Sequence, residues 1–135
     1  MPVFTRPKIV VKPDIYALER LKALQEKQLW QKGEIKHYYI ELSDIVREYM
    51  ENRFHFPALE STTDEIMLQV QKHLADEKMI ADVRVLLETS DLVKFAKHHP
   101  LVEEHQQSFE MAGRFIDKTR PPVESSESSE EKQPQ

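Results

Sequence analysis

Between residues 35 and 50 apolar side chains recur at Ile35, Tyr38, Tyr39, Leu42, Ile45, Val46, Tyr49 and Met50. Steps of three and four residues put them on one broad stripe of an α-helix. Glu34, Glu41, Glu48 and Glu51 lie mostly elsewhere on the wheel. A stripe this wide has to be covered by other helices, so it commits the chain to a helical bundle. The predicted helix runs from about Glu34 to Phe54. Pro57 stops any continuation, because it lacks the amide a helix needs. Phe54 and Phe56 are expected to plug that end of the core.

The neighbouring segments repeat the helical period. A first helix is predicted over about 14–32, with Asp14 as its cap after Pro13 and Ala17, Leu18, Leu21, Leu24 and Leu29 as its stripe. Gly33 suits the left-handed residue after the last turn. A third helix starts at Thr62 or Thr63, where TTDE is a capping box before Ile66, Met67, Val70 and Leu74. Asp76, Glu77 and Lys78 read as a turn. A fourth helix begins near Lys78, with Met79, Ile80, Val83, Leu86 and Leu87 inward. Its phase slips at Glu88–Asp91, so a break or kink is expected near Ser90, followed by a new inward stripe of Leu92, Phe95 and Ala96. After His99 and Pro100 a fifth helix is predicted over about 101–118, with Val102, Phe109, Ala112 and Ile116 inward. Glu103 and Glu104 suit its positive dipole end.

The expected fold class is therefore all-α: a compact bundle of five helices, six if the fourth divides, over residues 13–120. Residues 1–12 are expected to be an extended linker punctuated by Pro2 and Pro7, with packing of Ile9, Val10 and Val11 against the helices as the lesser alternative to a mobile segment. Residues 121–135, PPVESSESSEEKQPQ, have a single aliphatic side chain and are expected to be disordered.

Composition narrows the functions open to such a bundle. The net charge is −5, of which the tail supplies −3 through four Glu and one Lys, leaving −2 for the body. A near-neutral body lacks the basic face that a nucleic-acid footprint needs. Cysteine is absent, which removes disulfide and thiol chemistry. With glycine only at 33 and 113, no Gly-rich phosphate loop can form. No apolar run approaches the roughly 20 residues that span a bilayer.

Catalytic and metal signals are weak. The histidines, at 37, 55, 73, 98, 99 and 105, never stand one helical turn apart as in H-E-x-x-H. They read as surface or partly packed side chains. Ser43 precedes Asp44 on a helix with no base nearby, and Ser61, Thr62 and Thr63 are better used as caps. The acidic pairs Asp64–Glu65 and Glu103–Glu104 are explained by helix dipoles. No catalytic residue, cofactor or metal site is called for. Trp30, Tyr38, Tyr39 and Tyr49 read as core, with one of the adjacent rings 38 and 39 reaching the rim. A helix-turn-helix made by the third and fourth helices would present Lys78, Asp82, Arg84 and Glu88. Half of those are acidic, which opposes contact with phosphates.

Several segments occur together in a distinctive order: YALERLK from Tyr16, LWQKGEIKHYY from Leu29, LSDIVREY from Leu42, Arg53 with Phe54, ALESTTDEI from Ala58 and SDLVKFAK from Ser90. Over about residues 13–118 this resembles the cytosolic C-terminal region of membrane proteins of bacterial aerotolerance (Bat-type, BatD-like) operons. In that family an extracytoplasmic β-rich region and one transmembrane helix precede a helical domain. Nearby genes encode a MoxR-type AAA ATPase and proteins with von Willebrand factor A domains. This chain departs from the full-length pattern, since neither the β region nor the membrane helix is present. The resemblance therefore implies that Met1 is not the natural beginning, and that Arg6, Lys8 and Lys12 lie just inside the inner membrane, on its cytoplasmic side.

The resulting expectation is a non-enzymatic interaction module that docks the ATPase or a von Willebrand factor A partner. The alternative is a nucleic-acid-binding regulator. Exposed polar residues near Arg47, Glu48, Arg53, Asp91 and Lys94 are the expected contacts. Each could equally serve an intramolecular ion pair worth at most about 1 kcal/mol.

Overall fold

A computed structural model describes residues 12–122. Among the described residues there are five helices: α1 (Pro13–Lys27), α2 (Ile35–Phe54), α3 (Thr63–His73), α4 (Glu77–Ala96) and α5 (Val102–Lys118), with a short 3-10 turn at Ala58–Glu60. The lead-in and tail expected at 1–11 and 123–135 lie outside the described residues.

Helix α1 begins with Pro13, whose missing amide matters least in a first turn. Asp14 is not the cap. It sits inside the first turn, buried, and accepts a hydrogen bond of 2.8 Å from Arg120 Nε. The helix also stops before the expected Lys32, because Gln28 adopts a left-handed conformation at φ 51°. The reason is tertiary. The turn from Gln28 to Gly33 swings Leu29 into the core and Trp30 against it. Gly33, at φ +86°, closes that turn rather than the helix.

Helix α2 follows the sequence pattern closely. Tyr38, Tyr39, Leu42, Ile45, Val46, Tyr49 and Met50 are all buried. Neither Tyr38 nor Tyr39 reaches the rim, since each hydroxyl finds a partner inside. Past the left-handed His55, Phe56 turns into the core, while Phe54 stays partly buried and stacks on His73 at 4.6 Å. The capping box of α3 is complete: Glu65 N–H donates to Thr62 Oγ1 at 3.1 Å, and Thr62 N–H donates to Glu65 Oε1 at 2.9 Å. Asp76 caps α4 by accepting from the amides of Lys78 and Met79.

Helix α4 does not break at Ser90. The Ser90 hydroxyl donates to the Leu86 carbonyl at 2.8 Å and is fully buried, so it needs no cap position to satisfy it. One inward series, Met79, Val83, Leu86, Leu87, Ser90 and Val93, continues in phase to the end. The expected second stripe of Leu92, Phe95 and Ala96 consequently points away from the core.

Cross-links fix the arrangement. Arg20 meets Glu48 and Lys27 meets Glu41, so α1 runs antiparallel to α2. Lys94 meets Ser43 and Asp91 meets Arg47, so α4 also runs antiparallel to α2. Tyr38 reaches His105 and Tyr49 reaches Thr119, so α5 is parallel to α2. Packing of α1 on α2, α2 on α4, α4 on α5 and α5 on α1 closes a ring of antiparallel neighbours. Helices α2 and α5 touch across its diagonal, and α3 lies outside against α4.

His105, expected among surface or partly packed histidines, is instead buried, at 3% exposed. Its Nδ1 pairs with the Tyr39 hydroxyl at 2.9 Å, its carbonyl accepts from Tyr38 at 2.8 Å, and Trp30 covers its ring at 5.2 Å between centroids. Burial holds the imidazole below its ordinary pKa, against the opposing charge of Glu104. Burial also raises both phenols, Tyr39 to about 12, so they stay protonated. The unfolded chain takes up a proton at His105 near pH 6.5, and the folded chain does so only at lower pH. Stability is therefore full above about pH 6.5 and declines as pH falls below it. Urea unfolding at falling pH should show this decline, and His105→Gln should remove its part of the slope.

Candidate interaction surface

The outward phase of Leu92 and Phe95 concentrates unusual chemistry at one end of the bundle. Leu92 is 48% exposed and Phe95 79%. The helix stops at the left-handed Lys97, and the amides of Lys97 and His98 both turn back to the Leu92 carbonyl. The chain then passes through His99 and Pro100 to Leu101, 68% exposed, and Val102, 63% exposed. Val102, expected inward, faces solvent because Ala112, Phe115 and Ile116 supply the apolar inner face of α5 with His105 and Ser108. Leu101 is held at the helix start by its amide, which donates to Glu104 Oε1 at 2.7 Å. From 92 to 102 the sequence reads LVKFAKHHPLV, with two lysines, two histidines and no acid. Lys94 Nζ lies 5.5 Å from the centre of the Phe95 ring, within range of a cation–π contact.

Beneath these residues a polar cluster joins three helices. Asp91 Oδ2 accepts from Thr63 Oγ1 at 2.6 Å, and Oδ1 faces Arg47 at 3.7 Å. Lys94 donates to Ser43 Oγ at 3.3 Å. Burial lowers the pKa of Lys94, and neighbouring Arg47 adds to this, while Asp91 and Asp44 act against it. Among the described residues the buried Arg47 Nε has no hydrogen-bond partner.

The structure thus brings together three of the residues singled out from sequence: Arg47, Asp91 and Lys94. Glu48 lies elsewhere, paired with Arg20 of α1. Arg53 is also elsewhere, donating to the Thr119 carbonyl at 2.6 Å and lying over the Phe54 ring. Both tie helices of this chain to one another. The exposed apolar residues beside Lys94 were not anticipated. The acid-free run in an acidic chain was the signal available for them.

Other chemistry is sparse among the described residues. No group of three or more His, Asp or Glu side chains is placed to hold a metal ion. A cleft of about 40 Å³ lies beside Trp30, edged by Gln25, Gln28, Gln31 and Gln106. Small-molecule sites usually enclose roughly 300–1,000 Å³. On the outer face of α4, Lys78 pairs with Asp82 and Arg84 with Glu88, each at 3.3 Å. Those cations are neutralised within the helix, so the face does not offer the positive charge that DNA requires. Among the described residues no helix is long and apolar enough to cross a membrane. No protein-family model, curated protein or solved structure matches the chain.

The exposed residues here contribute little to folding. Phe95→Ser should change the unfolding free energy by less than about 0.5 kcal/mol. Leu86→Ala, in the buried face of the same helix, should cost about 2–5 kcal/mol. Paired urea titrations measure both values.

Proposed function

We propose that this domain is a non-catalytic protein-interaction module that docks its partner through residues 92–102. The observation that carries this reading is the exposure of Leu92, Phe95, Leu101 and Val102 around one short interhelical connection. Large apolar side chains grouped in this way mark interaction sites more often than ordinary surface.

The resemblance to Bat-type proteins adds a setting. In it the domain stands on the cytoplasmic side of the inner membrane and binds a MoxR-type AAA ATPase or a von Willebrand factor A protein. The geometry is compatible with that role. Residue 12 leads into α1 beside Arg120, at the C-terminal end of α5. Residues 92–102 lie at the other end of α5, a helix of 17 residues and so about 25 Å long. An anchor preceding residue 12 would leave the docking face directed away from the bilayer.

Capture from a lysate of the source organism tests this, with the full chain and its Phe95→Ser variant tethered to identical supports. The expected result is an AAA ATPase or a von Willebrand factor A protein retained by the native chain and lost by the variant. Equal retention by both, or none by either, would remove the proposal.

A further inference from the structure

We propose that the turn between α1 and α2 is an acid-triggered flap, in which Trp30 closes over a neutral His105 and swings away when that imidazole takes up a proton. The flap goes beyond the docking role and does not depend on it. Trp30 is the single tryptophan of the chain. Its half-buried indole stands over the His105 ring, with centroids 5.2 Å apart and planes tilted by 41°. Among the described residues no hydrogen bond holds the indole N–H. Apolar contact keeps the ring in place, and such contact is non-directional. A cleft of about 40 Å³ opens on its flank, edged by Leu24, Gln25, Gln28 and Phe109, so the indole is not packed on every side.

The segment that carries Trp30 can move as a unit. Two residues of positive φ bound it, Gln28 at 51° and Gly33 at +86°. Its backbone hydrogen bonds are internal. Lys32 N–H donates to the Gln28 and Leu29 carbonyls, Gly33 N–H to the Trp30 carbonyl and Glu34 N–H to the Leu29 carbonyl. Among the described residues none of them reaches α5. His105, in contrast, sits on a helix pinned to α2 through Tyr38 and Tyr49. When charge appears on the imidazole, its cover yields before its helix does.

Nothing around the ring is placed to take that charge. From α2 it meets the phenols of Tyr38 and Tyr39, which burial keeps protonated. On its own helix Glu104 acts on it, but Glu104 Oε1 is bound to the Leu101 amide. In the turn itself Lys32 and Glu34 are exposed. Glu41 of α2 binds both His37 and Lys27 of α1. On α4, Asp91 is held by Thr63 and Arg47, and Lys94 by Ser43. Among the described residues no carboxylate pairs with the His105 ring. A buried charge without a partner is costly, and water reaches the imidazolium once Trp30 leaves.

The test uses the full chain. Fluorescence of Trp30 is followed with acrylamide as quencher from about pH 7.5 to 5, across the range in which histidine titrates, beside far-ultraviolet circular dichroism. NMR of the imidazole rings gives the pKa of His105 in the native chain and in Trp30→Ala. Quenching should rise severalfold as His105 titrates, with helicity unchanged, and His105→Gln should stay protected throughout. Linkage is reciprocal, so if protonation releases Trp30, removal of Trp30 eases protonation. Trp30→Ala should therefore raise the His105 pKa toward its ordinary value of about 6.5. A pKa left unchanged or lowered by Trp30→Ala would overturn the proposal, because the indole would then be indifferent to the imidazolium or stabilise it through a cation–π contact. Quenching of the native chain that ignores pH, that rises only as helicity is lost, or that persists in His105→Gln would overturn it equally.

Discussion

Two tyrosine hydroxyls set the register of this bundle. Tyr38 donates to the His105 carbonyl, and Tyr49 binds the carbonyl and hydroxyl of Thr119. These contacts stand near opposite ends of α5 and pin it parallel to α2 across the diagonal of the ring. Apolar burial alone is non-directional. It would accept α5 slid or rotated by a turn, provided that Phe115, Ile116 and Ala112 stayed inside. A buried hydroxyl is less tolerant, because leaving it unpaired costs about 1–3 kcal/mol. Arg53 and Arg120 complete the lower end by joining Thr119 and Asp14 to the same assembly.

With α2 and α5 fixed, the remaining helices have few choices. The α1 face of Ala17, Leu21 and Leu24 covers one groove between them, and the α4 face from Met79 to Val93 covers the other. Short connections make α1 antiparallel to α2 and α4 antiparallel to α5. The α4–α5 connection leaves Leu101 and Val102 outside the ring. Apolar residues at that junction are thus surplus to the core, so within one helix the buried face serves folding and the exposed face is free for the proposed docking.

Much of this was legible in the sequence, for identifiable reasons. The α2 stripe was readable because one period sustained from Ile35 to Met50 leaves a single phase available. The α3 start was readable because Thr62 and Glu65 form a local motif that needs no tertiary partner. The end of α1 was not legible, since Gln28 has no special preference for a left-handed conformation and adopts it for the sake of Leu29 and Trp30. The continuity of α4 was misread because Ser90 looked like a cap, whereas an i−4 carbonyl satisfies it inside a helix. The same misreading placed Phe95 and Leu92 inward. His105 was missed because its partners, Tyr38, Tyr39 and Trp30, are distant in sequence. At the candidate surface, Arg47, Asp91 and Lys94 were visible as charged residues, but what sets Lys94 apart from Glu48 is its exposed apolar neighbourhood. That neighbourhood depends on helical phase.

The central claim is that Leu92, Phe95, Leu101 and Val102 form an open apolar face on a bundle that is already complete without it. Relaxation of side-chain NMR signals by a soluble paramagnetic agent, on the dilute full chain, tests this most directly. The account predicts strong broadening at Leu92, Phe95, Leu101 and Val102, with Leu86 and Val93 protected. Protection of Phe95 and Leu92 to the same degree as Leu86 would contradict it, because the face would then be packed within the fold or covered by a second copy of the chain.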